Sequence, residues 1–127
     1  MDLTNYIAIG TTPTIRAHIK DHDGEPLDFE LIDKSTFHFY FKQGCGYTIL
    51  EKSGEDVQVS EIEESTVSTY LTQEDTLKFV KGVIEIEIRW LFNEALPNGE
   101  KIAGKTTVHQ VAISPVIKEE VIRSDDT

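Results

Sequence analysis

The chain has 127 residues, 39% of them hydrophobic, and a formal net charge of -11 from 23 acidic against 12 basic side chains. That length fits one domain, residues 1–127, with a single modest core, and the charge argues against nucleic acid and membrane surfaces as partners, because binding phosphate relies on Lys and Arg. The one cysteine, Cys45, leaves no intrachain disulfide and no zinc site built on several thiolates.

Taken in order, Met1-Asp2-Leu3-Thr4-Asn5 has neither the basic segment nor the apolar run of a signal peptide. No later run approaches membrane-spanning length, so synthesis in the cytoplasm is expected. Tyr6, Ile7, Ala8 and Ile9 form a short apolar edge before the bend Gly10-Thr11-Thr12-Pro13. From Thr14, Ile15, Ala17 and Ile19 alternate with Arg16, His18 and Lys20, the pattern of a strand with one wet face. Asp21-His22-Asp23-Gly24-Glu25-Pro26 ends it as a tight turn. Leu27, Phe29, Leu31 and Ile32 lack a helical period and are read as irregular.

In residues 35–42, Phe37, Phe39 and Phe41 share one face while Thr36, His38 and Tyr40 share the other. Gly44-Cys45-Gly46 turns this strand back into a hairpin arm through Tyr47, Ile49 and Glu51. After the turn Ser53-Gly54-Glu55, Val57 and Val59 make a brief strand. An acidic connection, Glu61-Ile62-Glu63-Glu64, leads to Val67, Thr69 and Leu71 on one face. Thr72-Gln73-Glu74-Asp75 has a hydroxyl cap with an acid three residues on, the start of a short helix that must end before Gly82.

The strongest strand spans 82–92, where Ile84, Ile86, Ile88 and Trp90 alternate with Glu85, Glu87 and Arg89. The aromatic face of 35–42 is expected to oppose this ridge across a sandwich. Pro97-Asn98-Gly99 predicts a hairpin to a last strand over about 105–116. Its inward set is ambiguous, since Val111 and Ile113 share one parity and Val108 and Ala112 the other; a bulge reconciles them. Residues 118–127 read as a polar tail that frays. The whole predicts an all-β, immunoglobulin-like antiparallel β-sandwich of about seven strands, with one short helical turn near 73–80. A small barrel is the alternative.

Candidate chemistry is sparse. Asp21, His22, Asp23 and Glu25 could in principle hold a divalent cation, but Asp-Gly is what a hairpin turn wants and the spacing is too short for a calcium loop. His18, His22, His38 and His109 are scattered and read as surface histidines. Cys45 between two glycines has no base tied to it by any pattern. Glu85 and Glu87 read as solubility or edge-protecting charges on a solvent-facing surface. Tyr40 and Tyr47 could stack on a sugar, although tyrosines in hairpins more often fill cross-strand pairs. No catalytic, cofactor or metal residue is assigned.

The order of the pieces carries a resemblance. Ile15-Arg16-Ala17-His18-Ile19-Lys20-Asp21, Asp23-Gly24-Glu25-Pro26-Leu27-Asp28-Phe29 and Phe37-His38-Phe39 resemble the first third of the N-terminal domain of phage baseplate upper proteins. Tyr70-Leu71-Thr72-Gln73-Glu74-Asp75-Thr76-Leu77, then a glycine-led strand ending Arg89-Trp90, resembles small tail-associated proteins of phages and prophages in Gram-positive bacteria. The resemblance covers roughly 9–117 and lies in turns and strand order. It implies a non-enzymatic structural protein of a virion tail or baseplate, binding neighbouring tail proteins or copies of itself, without a cofactor. The helical segment and receptor-binding module of the longer baseplate proteins have no counterpart in these residues. On this reading an apolar binding face of several hundred Å² is expected. The alternative function, a carbohydrate-binding or adhesive module, needs a coplanar exposed aromatic pair among Tyr40, Tyr47 and Trp90, and strand parity turns Trp90 inward.

Overall fold

A computed structural model describes residues 6–44, 47–114 and 121–122. Among them are eight strands: β1 (Tyr6–Ala8), β2 (Thr14–His18), β3 (Ile32–Gln43), β4 (Tyr47–Ser53), β5 (Val57–Val59), β6 (Thr66–Tyr70), β7 (Gly82–Ala95) and β8 (Lys101–Ser114). A one-turn helix, α1 (Gln73–Thr76), separates β6 from β7. One sheet has the order β1-β8-β7-β3-β4 and the other β2-β6-β5. The expected all-β sandwich therefore forms. Its strands are antiparallel neighbours except β1, which runs parallel to the end of β8.

Alternation explains the core. Phe37, Phe39 and Phe41 of β3, Ile84, Ile86, Ile88 and Trp90 of β7, and Ala17 and Val67 of the smaller sheet are all buried in one cluster. Leu71 and Phe79 close it near α1. The aromatic row does not oppose the isoleucine ridge across the sandwich, however. β3 and β7 are hydrogen-bonded neighbours, with Phe39 paired to Ile88 and Phe41 to Ile86. A period of two tells which face a residue takes and says nothing about which sheet the strand joins.

Two irregularities shape the large sheet. From Ile84 to Ile86 the partner on β8 moves from Val111 to Val108, so β8 carries one extra residue there. This bulge resolves the mixed parity of 108–113, pairing both valines with buried isoleucine positions. Between Asp33 and His38 the β3–β7 register also slips. There the Thr36 hydroxyl accepts the Leu91 N–H at 2.8 Å and donates to the Asp33 carbonyl at 2.6 Å, replacing a lost ladder bond.

The predicted helix is shorter than its window. It spans Gln73–Thr76, after which the Lys78 and Phe79 N–H groups bond to Asp75 and Thr76 carbonyls and carry Phe79 into the core. The β7–β8 hairpin closes as expected, with Gly99 at φ 90° and its N–H donating to the Leu96 carbonyl. Cys45 and all of the predicted 118–127 tail except residues 121–122 lie outside the described residues.

Candidate functional site

Polar side chains in unexpected places mark the end of the sandwich at α1. On β4, Lys52 shares inward parity with Leu50 and stands opposite Phe39. It is only 8% exposed. Its Nζ lies 2.7 Å from Asp75 Oδ2 and 5.4 Å from the centre of the Tyr70 ring. Asp75, equally buried, also completes a capping box: it accepts the Thr72 N–H at 2.9 Å while Thr72 Oγ1 accepts the Asp75 N–H at 3.1 Å. Burial pushes the Asp75 carboxyl up, but the Lys52 ammonium and the Thr72 N–H outweigh it, and its pKa falls below the ordinary 3.8. Next in the helix, the buried Thr76 hydroxyl accepts the Gly10 N–H at 2.9 Å and lies 3.0 Å from the Thr11 carbonyl.

These bonds fix α1 to β4 on one side and to the β1–β2 bend on the other. The helix presents Gln73 outward from that base. Its carboxamide donates through Nε2 to the Ile122 carbonyl at 2.7 Å and accepts the Ile122 N–H through Oε1 at 2.6 Å. A groove of about 740 Å³ runs beside this contact, bordered by Thr12, Tyr70, Leu71, Gln73, Val121 and Ile122. A carboxamide that both gives and takes a hydrogen bond with one residue's backbone imitates a neighbouring strand. This groove is the candidate site.

A second polar feature lies on the outer face of the large sheet. Glu87, expected to be solvated, is 3% exposed. Lys42 of β3 and Lys105 of β8 reach over it at 3.1 Å each, and Arg89 at 3.4 Å. Their aliphatic stems cover the carboxylate while their charges replace water. Burial raises the Glu87 pKa, and hydrogen bonds from Lys105 and Lys42 with the Arg89 charge pull it below the ordinary 4.5. Only Glu85 of the pair remains exposed, so Glu87 is a buried ion-cluster centre and not a solubility charge.

The sequence candidates do not converge. Asp21 Oδ1 accepts the N–H groups of Asp23 and Glu25 at 2.9 and 3.0 Å, and Gly24 has φ 81°, so this acidic run is built as a turn. His18 and His38 project from different sheets, bonded to Thr66 and to the Thr36 carbonyl respectively. The side chains of His109 and Tyr47 lie outside the described set. Among the described residues, no group of three or more His, Cys, Asp or Glu is placed to hold a metal ion. Trp90 is buried, and Arg89 sits 5.2 Å from the centre of the Tyr40 ring, so these two form no open stacking platform.

Tyr70 and Ile122 border the Gln73 groove, Leu31 borders a recess of about 320 Å³ with Phe92 and Ile102, and Ile62 borders an acidic groove. These four exposed apolar groups thus border three separate concavities, and Val80, Val83 and Leu96 are exposed as well. Neither Lys52 nor Gln73 was legible as a site residue, because each owes its role to a partner far along the chain. No family model matches this chain, and no curated protein or solved structure is similar enough to count as a match.

Proposed function

We propose that the protein is a non-enzymatic structural component of a phage or prophage tail or baseplate, making protein–protein contacts in a virion. One observation supports this most. The runs that carry the resemblance build the frame itself: the turn anchored by Asp21, the aromatic row of β3, the Thr72–Asp75 capping box and the long strand β7. Side chains that elsewhere carry chemistry are occupied in holding this frame, as in Asp75 with Lys52 and Glu87 with its three cations.

Contacts on this reading include small concave seats. The Gln73 groove suits such a role, since Gln73 already holds the backbone of one residue, Ile122, through both its N–H and its C=O. Mass spectrometry of purified tailed particles from an induced culture of the source strain tests the proposal. Recovery of the chain in stoichiometric amounts with tail proteins is expected. Its absence from particles, while present in the lysate, would overturn it.

A further inference from the structure

We propose that the recess between Leu31 and the base of the β7–β8 hairpin docks a basic segment of a partner protein. One large apolar side chain of that segment enters the recess, and Lys or Arg beside it meets the acidic rim. The inference rests on the reading above only in that the chain works through protein contacts; the chemistry of the partner comes from the recess.

The recess exists because the sheet is interrupted there. From Leu91 to Ala95 the partner on β8 moves only from Ala103 to Lys101, so Phe92, Asn93 and Glu94 of β7 face the single residue Ile102. All four line the recess of about 320 Å³, together with Glu30 and Leu31. Bulges of this kind re-aim side chains and recur beside binding sites. The wall at Leu31 is fixed as well. The Asp28 carboxylate accepts the Glu30 N–H at 3.0 Å and caps the short turn Phe29–Leu31. Across the recess, the Asn93 carboxamide donates to the Glu30 carbonyl at 3.2 Å, which ties the two walls together. A seat held open in this way needs little ordering when a partner arrives.

Its walls are apolar and its rim is acidic. Leu31 is 58% exposed, while Phe92 and Ile102 are half-buried. The volume lies at the low end of the range for binding pockets, about 300–1,000 Å³, and suits one large side chain. Glu30 also lines a neighbouring groove of about 800 Å³, which adds Asp28, Glu61, Glu63 and Glu64. With Glu94, six carboxylates line the two concavities against one cation, Lys34. Lys34 lies 3.9 Å from Glu30, Arg16 pairs with Glu63, and Lys101, next to Ile102, is turned to Asp33. Glu61, Glu64 and Glu94 have no ion pair among the described residues. Open apolar surface favours a covering group, and unpaired carboxylates around it select a cationic one and repel an acidic one. Two adjoining concavities exceed what a single side chain fills, so the occupant is an extended polypeptide.

The probe is the peptide acetyl-Lys-Lys-Leu-Lys-Lys-amide, titrated into the full chain in about 0.15 M salt, where the screening length is about 8 Å. Methyl NMR resonances of Leu31 and Ile102 report on the recess directly. They should shift together and saturate with a Kd of about 1 mM or tighter. Replacing the peptide's leucine by serine should weaken binding about tenfold, since it removes the buried side chain. Replacing its lysines by glutamate should abolish binding. On the protein, Leu31→Ser should weaken binding about fivefold, read at Ile102. Glu94→Gln should weaken it about threefold, as for one exposed charge pair, whereas Glu85→Gln, near the other end of β7, makes the same charge change and should leave affinity unaltered. These side chains are exposed, and the remaining methyl resonances check that the variants fold.

Absence of any shift at Leu31 and Ile102 would overturn the proposal. So would a serine peptide that binds as well as the leucine one, which would reduce the effect to general charge attraction. An affinity untouched by Leu31→Ser, or lowered equally by Glu85→Gln and Glu94→Gln, would overturn it too. The titration needs only purified protein, so its failure leaves the virion reading standing, and absence from particles leaves the recess standing.

Discussion

Trp90 of β7 and Gly104 of β8 are cross-strand partners, and a Cβ built on Gly104 would lie 2.7 Å from both Cε2 and Nε1 of the indole. The edge of Phe92 would be 2.9 Å away. The glycine is needed here for space and not for its backbone angles. Gly104→Ala should destabilise the fold by about 1–3 kcal/mol through overpacking. Urea unfolding followed by Trp90 fluorescence measures it, and an unchanged midpoint would show that the indole moves aside freely.

Lys52 and Asp75 form a buried pair whose members also serve the core edge and the helix cap. Removing one partner leaves the other charge buried and alone. Lys52→Met and Asp75→Asn should each cost about 3 kcal/mol or more, and the double variant should cost clearly less than their sum. A double-mutant cycle by chemical unfolding gives the coupling. Additive losses would mean that the pair contributes no interaction of its own.

Acid should unfold the protein through Glu87 and Asp75. Both carboxyls have pKa values lowered from 4.5 and 3.8, so the folded chain binds fewer protons than the unfolded one in that range. Their stabilisation is complete above about pH 5 and is lost as pH falls through the folded values. Glu87→Gln should lower stability at neutral pH, where Lys42, Arg89 and Lys105 then repel one another, and should flatten the acid limb. Thermal melts between about pH 7 and pH 3 test the sign. An acid limb identical to that of the unmodified chain would rule Glu87 out as a contributor.

Ile62 stands at the other extreme, 96% exposed between glutamates. Ile62→Ser should leave stability within about 0.5 kcal/mol of the unmodified chain. A loss of more than that by calorimetry would reveal packing on this loop in the isolated protein.

What the amino-acid order alone determined is local. The alternation of Ile84, Ile86, Ile88 and Trp90 with polar neighbours assigns the buried face of β7, because side chains on a strand repeat every two residues. The hydroxyl and acid of Thr72 and Asp75 mark the helix start, since each satisfies the other's backbone N–H within one turn. Asp21 and Gly24 likewise specify their turn from within it, and the clash of parity in 108–113 announces the bulge.

Everything that joins distant residues was decided by the tertiary structure. Phe39 lies beside Ile88 because β3 and β7 pair, a choice on which their matching patterns are silent. Glu85 and Glu87 look alike in the sequence, yet only Glu87 meets Lys42 from one neighbouring strand and Lys105 from the other. Lys52 becomes a core residue because α1 brings Asp75 to it, and Gln73 becomes a clamp only where the backbone of Ile122 passes within reach. Local patterns set which way a side chain faces; what it meets there depends on chain closure over long separations, which no short stretch of sequence contains.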